Sequence, residues 1–281
     1  MRSWLAQFEM RRATALADAL QVLSGGGWTP FAGGTDLMVL LEMGKLPQRR
    51  FLDIWRVPEL KGIRVSDAEV GLGALATYTD LLEHEVVTGE FPLIAAAARE
   101  TGAVAIQNRG TVGGNIANAS PAADLPPALL VYDAELEVAS VRGSRRIPYQ
   151  SFHRGYKTMD LADDELIVSV RLPRTGTRWK GSYRKVGTRR AQAISKVCFA
   201  ALASIDGGTI RDIRISVGSV APTVVRARAA EAVLRGRSID AAIVTAARRA
   251  LEQDISPIDD MRSTAGYRST VAGNLLEEFL A

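Results

Sequence analysis

Two pairs of adjacent glycines constrain this chain more than any other feature. They lie in Ala32-Gly33-Gly34-Thr35-Asp36 and in Gly110-Thr111-Val112-Gly113-Gly114-Asn115. Paired glycines let a backbone enter left-handed conformations and approach another group more closely than a β-carbon permits. The first pair sits between a brief strand, Thr29 to Ala32, and a segment of helical length, Leu37 to Met43, which Gly44 is placed to stop. Successive N–H groups in such a loop can cradle phosphate oxygens, helped by the start of the following helix. Thr35 adds a hydroxyl. Asp36 would repel a phosphate and is expected to cap the helix or meet a neutral hydroxyl or amide. Alone, this pair fits a tight turn equally well; it is neither a Walker loop nor a spaced G-x-G-x-x-G.

The second loop says more. From Asn108 to Asp124 the chain packs turn formers, hydroxyls and amides around a few small apolar residues. A loop of this length with no ligand would be poorly ordered. Asn115, Ser120 and Asp124 can satisfy the hydroxyls or phosphates of an extended ligand. Two such loops suggest a ligand with two phosphates, and Gly114→Val is expected to block its approach.

The bulk numbers exclude other classes. The chain has 281 residues, enough for one large or two medium domains. Its 47% hydrophobic and 23% charged content is ordinary for a globular protein. No run approaches the ~20 apolar residues of a membrane span, and Met1 to Leu5 opens no signal-peptide core, so a cytoplasmic location is expected. The single cysteine, Cys198, cannot form an internal disulfide or hold an iron–sulfur cluster or structural zinc. Its apolar setting marks it as a buried hydrophobe. His84 and His153 form no ligand pattern. The net charge of +4 is scattered, and 6% aromatic residues without basic–aromatic alternation argue against a nucleic-acid face.

Short strands are expected at Phe51 to Ile54, Ile63 to Val65, Val70 to Gly73, Leu136 to Val141 and Leu166 to Leu172. Helices are expected at Tyr78 to Val87, capped by Thr79 or Asp80, and at Leu93 to Glu100. Pro173-Arg174-Thr175-Gly176 breaks the pattern, which predicts domains of 1–174 and 175–281. The second opens with strands at Gly181 to Val186, Ser195 to Ile205 and Ile210 to Val217, with Gly207-Gly208 as a hairpin turn. Helices at Arg226 to Arg235, Ile239 to Gln253 and Gly266 to Leu280 follow. That order predicts an α+β module, an antiparallel sheet with helices on one face.

Phe31-Ala32-Gly33-Gly34-Thr35-Asp36-Leu37 and the run from Thr111 through Asp124-Leu125-Pro126 resemble the paired signatures of the FAD-binding medium subunit of molybdenum hydroxylases, the xanthine dehydrogenase and carbon monoxide dehydrogenase family. The resemblance continues at Asp164 to Ile167, Tyr183 to Val186 and Ile255 to Arg268. It implies a vanillyl-alcohol-oxidase (PCMH)-type FAD-binding domain of two small lobes, followed by the C-terminal α+β domain. The cofactor would be non-covalent FAD. Phe31 through Leu37 would wrap its pyrophosphate, and Thr111, Gly113, Gly114, Asn115, Ser120 and Asp124 would line it. Leu166 would pack near the isoalloxazine, and Lys185 would face the flavin N1/O2 edge. Electrons would arrive from [2Fe–2S] clusters of a small subunit, after chemistry at molybdopterin in a large subunit, and leave to NAD or another acceptor. A dimer of heterotrimers is implied. Where relatives carry Gln-Ile-Arg-Asn, this chain has Ala105-Ile106-Gln107-Asn108, so no arginine contact is carried to Gln107. Two other readings remain open from the residues alone: a self-contained flavin reductase of the same flavin fold, and a non-redox nucleotide-binding protein.

Overall fold

A computed structural model describes residues 7–281; the expectation about Met1 to Leu5 lies outside the described residues. Strands β1 (Glu9–Arg12), β2 (Thr29–Phe31) and β3 (Arg50–Asp53) form a parallel sheet in the order β1-β3-β2. Parallel neighbours need crossovers. Helix Leu16–Ser24 makes the first, burying Ala19, Leu20, Val22 and Leu23 on one face. The first glycine loop and helix Leu37–Glu42 make the second. That helix stops as expected: the Gly44 and Lys45 N–H groups turn back to the carbonyls of Leu41 and Leu40.

The second lobe contains β4 (Ile63–Val65), β5 (Glu69–Gly73), β6 (Glu135–Ser140), β7 (Gly143–Pro148), a small hairpin of β8 (His153–Gly155) and β9 (Thr158–Met159), and β10 (Leu166–Pro173). Five of these form an antiparallel sheet, β4-β5-β10-β6-β7. Between β5 and β6 the chain folds into short helices that carry the second loop. The single helix expected from Tyr78 to Val87 is two, Tyr78–Glu83 and Glu85–Glu90, broken where His84 turns extended. Its cap is Thr77 rather than Thr79 or Asp80. The Thr77 hydroxyl accepts from the Asp80 N–H and the Asp80 carboxylate accepts from the Thr77 N–H, a reciprocal capping box.

The C-terminal sheet is antiparallel, β11 (Lys180–Val186), β12 (Val197–Asp206), β13 (Thr209–Gly218) and β14 (Val225–Arg226). Gly207 and Gly208, at φ +54° and +78°, turn β12 into β13 as a two-residue hairpin of the favoured hand. Helices Arg228–Leu234, Ala241–Asp254 and Ala265–Leu280 cover one face. The antiparallel sheet with its own helices on one face is as expected, and its other face is buried as well. Along β12, Val197, Phe199, Ala201 and Ala203 face those helices, while Ala200 and Leu202 join the core of the second lobe. Both faces are buried, which is why the run Val197 to Ala203 is apolar throughout. The C-terminal sheet therefore backs directly onto the helices that carry the second glycine loop.

Candidate flavin site

The two glycine loops touch. A β-carbon at Gly33 would stand 1.7 Å from the Arg109 carbonyl oxygen and 3.3 Å from the Gly110 nitrogen, so only glycine lets the backbones cross here. Gly34 adopts φ +74°, a left-handed conformation, with the Phe31 ring against its Cα. This geometry leaves donors over. Among the described residues, no carbonyl or side chain of the chain accepts from the N–H groups of Gly33, Gly34, Thr35 or Asp36. Gly33, Gly34 and Thr35 are half-buried and Asp36 is exposed; buried N–H groups are nearly always paired, and successive free donors of this kind form an anion-binding concavity. Asp36 stands at the N-cap position of helix Leu37–Glu42 but its side chain accepts no capping bond. The capping half of the expectation is not met, because Asp36 is already turned into the helical region of φ and ψ. The helix has only six residues, so the free donors carry the attraction, not a macrodipole.

The second loop is built differently. Its amides are used internally: Val112 and Gly113 donate to the carbonyls of Ala76 and Ala74, and Gly114 donates to the Thr111 hydroxyl, which caps helix Val112–Ala117. What this loop offers is side chains and clearance. The Asn115 Oδ1 is buried with no hydrogen-bond partner. An orphaned buried amide oxygen costs about 1–3 kcal/mol unless something donates to it, and a ligand hydroxyl can do so. Gly114 is exposed, and a β-carbon there would meet only the Thr111 Oγ1, at 2.8 Å. Within the protein, the tightest backbone approach is at Gly33, while Gly114 leaves open space beside the Thr111 hydroxyl. Ser120 receives the Ala122 N–H and is half-buried.

Asp124 ends the loop inside a polar cluster (9% exposed). Lys185, from β11, donates to its Oδ2 at 2.7 Å and to the Glu100 carbonyl at 2.8 Å. Ser195 donates to its Oδ1 at 2.8 Å, and the Tyr183 hydroxyl donates to its main-chain oxygen at 2.8 Å. Burial raises the Asp124 pKa; the Lys185 charge and the Lys185 and Ser195 hydrogen bonds oppose it. Cys198 lies beneath Tyr183, fully buried, and burial pushes its thiol far above the ordinary value, in line with an inert hydrophobe. The structure brings two of the candidates, Asp124 and Lys185, together across 61 residues. Tyr183 and Ser195 were not among the candidates; only their contacts reveal them. An ammonium has three donors, and two are used, so Lys185 keeps one to offer. Leu166 joins the apolar cluster of Leu52, Leu75 and Ala139 under the first lobe. Gln107 clips the Arg99 and Thr101 carbonyls.

Free loop donors, an orphaned amide acceptor and a fixed cation fit a ligand with phosphates, hydroxyls and a ring able to take negative charge. The comparisons agree. Residues 6–175 match the model of the FAD binding domain in molybdopterin dehydrogenase, and residues 182–281 match that of the CO dehydrogenase flavoprotein C-terminal domain. A putative xanthine dehydrogenase FAD-binding subunit of Escherichia coli is 32% identical over 260 residues, 92% of this chain and 89% of that protein. A glyceraldehyde dehydrogenase medium chain of Sulfolobus acidocaldarius is 33% identical, covering 94% of each. Among solved structures, carbon monoxide dehydrogenase from Hydrogenophaga pseudoflava superposes with a TM-score of 0.92 at 31% identity, covering 97% of this chain and 95% of that one. The PCMH-type α+β fold expected from the resemblance is thus the fold observed. The chain belongs to the family of FAD-carrying subunits of molybdenum hydroxylases.

Proposed function

We propose that this chain relays electrons. They arrive from [2Fe–2S] clusters of a small partner subunit, pass through non-covalent FAD held here, and leave to NAD or another acceptor. A large molybdopterin subunit completes the complex, as a dimer of heterotrimers in the cytoplasm. Among the described residues no helix is long and apolar enough to cross a membrane. The division of labour places residues 1–174 as the flavin domain and 175–281 as the domain that braces it.

The observation that carries this reading is the crossing of the two loops at Gly33, the first with free N–H donors and the second with the orphaned Asn115 oxygen. Bound FAD supplies a centre that takes up and gives out electrons singly or in pairs. The chain's own residues do the rest. With FAD bound, the N–H groups of Gly33 to Asp36 would donate to the pyrophosphate, Asn115 would accept from a hydroxyl, and Thr111 and Ser120 would shape the second wall. Lys185 is a positive charge fixed by Asp124, and a fixed charge needs no reorganisation when negative charge develops beside it. Asp124 is itself committed to Lys185 and Ser195, so it is a positioning group rather than an acid or base toward substrate. Ser195 and Tyr183 are likewise spent on Asp124, which argues against a self-contained reductase.

The test is to co-purify the full chain with the proteins encoded beside it. A complex that contains molybdopterin and iron–sulfur chains, and whose reduced clusters pass electrons to FAD and on to NAD or another acceptor, is expected. A stable flavoprotein that turns over a substrate of its own without partners would overturn the relay.

A further inference from the structure

The run Ile255 to Arg268 carries part of the family resemblance, yet among the described residues it makes no hydrogen bond to either glycine loop, to Asp124 or to Lys185. Its last residue is nevertheless placed unusually. Arg268 lies in the first turn of helix Ala265–Leu280 and is almost wholly buried (4% exposed). A buried guanidinium is costly unless its donors are met. Its Nη1 donates to the main-chain oxygens of Lys196 at 2.8 Å and Ser219 at 2.9 Å, and its Nη2 donates to the Asp260 Oδ1 at 2.8 Å. Lys196 immediately precedes β12 and Ser219 immediately follows β13. The guanidinium therefore ties one end of each strand to the last helix, a span that suits its planar fork and not a compact ammonium.

The two strand ends it ties together are those that meet the flavin cluster. Ser219 is buried and stands at φ +65°, a conformation that disfavours any residue with a β-carbon. Its N–H donates to the Pro121 carbonyl of the second loop at 2.8 Å. Its hydroxyl donates to the Ser195 carbonyl at 2.9 Å. Ser195, next to Lys196, is itself buried and donates its hydroxyl to the Asp124 Oδ1 at 2.8 Å. The other oxygen of Asp124 holds Lys185 at 2.7 Å. An unbroken series of hydrogen bonds thus runs from Arg268 through Ser219, Ser195 and Asp124 to Lys185.

We infer that Arg268 is a positioning residue of the flavin site: its guanidinium locks the start of β12 to the end of β13, and so sets the Ser195 hydroxyl on Asp124 and, through Asp124, the ammonium of Lys185. The inference rests on the flavin reading above. A residue of the last helix then aims a cation contributed by β11, and the C-terminal domain aligns the site as well as bracing it.

The experiment titrates the flavin-free full chain with FAD, with apoprotein melting recorded beside it. The variants are Ser195→Ala, Arg268→Met, Arg268→Lys and Ser219→Ala, and each of the last three combined with Ser195→Ala. Ser195→Ala removes one hydrogen bond to a charged group and should weaken FAD binding about 10-fold or more. Arg268→Met and Ser219→Ala should each weaken it by about 10-fold, and Arg268→Lys, which keeps the charge without the fork, by less. In the Ser195→Ala background the same three substitutions should cost no more than about 2-fold, because the bond through which they act is already gone. Losses of the same size in both backgrounds would overturn the inference, as would a lowered melting temperature with wild-type FAD affinity; either would reduce Arg268 to a pin for the last helix. If Arg268→Met fails to fold, Arg268→Lys and Ser219→Ala decide by the same comparison. A wild-type chain that binds no FAD, alone or with its partner subunits, would overturn the flavin reading instead.

Discussion

Gly33→Ala is the sharpest perturbation the structure offers. The added β-carbon would lie 1.7 Å from the Arg109 oxygen and 2.6 Å from its carbonyl carbon. All the atoms it meets are main chain, so no side-chain rotation relieves the clash. A separation of 3.0 Å, about the closest a β-carbon is found to any atom, requires the loops to part by about 1.3 Å. Displacements of ~1 Å already cost ~100-fold in sites that depend on alignment. Here the four donors of the first loop would no longer face the same ligand atoms as Asn115. Losing two charge-assisted hydrogen bonds, at about 1.5–3 kcal/mol each, predicts an affinity loss of at least about 100-fold. Strain of about 1–3 kcal/mol should also lower the apoprotein melting temperature. The assay is FAD titration by fluorescence quenching beside a melting curve. Gly114→Ala is the internal comparison, because its β-carbon meets only the end of the Thr111 side chain. It should cost far less. Wild-type FAD affinity in Gly33→Ala, or a larger fall in apoprotein melting temperature in Gly114→Ala, would refute the crossing of the loops.

Lys185→Met leaves Asp124 buried without its counterion and should destabilise the chain by about 3–5 kcal/mol at pH 7; in a denaturation series the penalty should shrink at acid pH, where the carboxyl takes up a proton and needs no partner. His153 has its pKa lowered by burial, with the Ile116 carbonyl opposing. The unfolded chain binds that proton near 6.5 and the folded chain resists it, so the stability it supports is full above pH 6.5 and lost as pH falls below it. His153→Gln should flatten that part of the melting-temperature profile. Thr111→Ala removes the cap of helix Val112–Ala117 and should cost about 1 kcal/mol in stability, with a weaker hold on FAD than the wild type by titration.

Much of this was legible in the sequence for physical reasons. Leu136 to Val141 alternates because one strand face is wetter than the other, and Gly207-Gly208 marks its turn because both residues need positive φ. Gly44 stops its helix by the same chemistry the sequence suggested. The misses have causes too. Strand β7 carries Arg145 and Arg146 on exposed positions, so hydrophobic alternation never registers. The break at His84 comes from the chain turning extended between two helices, which periodicity does not show. The burial of both faces of β12 comes from packing against the second lobe, a tertiary event. The site itself divides in the same way. Glycine pairs announce a close backbone approach, but not that Gly33 meets Arg109. Asp124 and Lys185 were each recognisable, yet their pairing, with Ser195 and Tyr183 around them, depends on a sheet docking onto a loop.

The central claim is that this chain holds FAD between its crossed loops. The most direct measurement is acid release of flavin from the purified full chain, quantified against protein, with reconstitution of any flavin-free fraction. About one FAD per chain is predicted, released without covalent remnant and restored on adding FAD. A colourless chain that FAD cannot reconstitute, alone or with its partner subunits, would contradict the account.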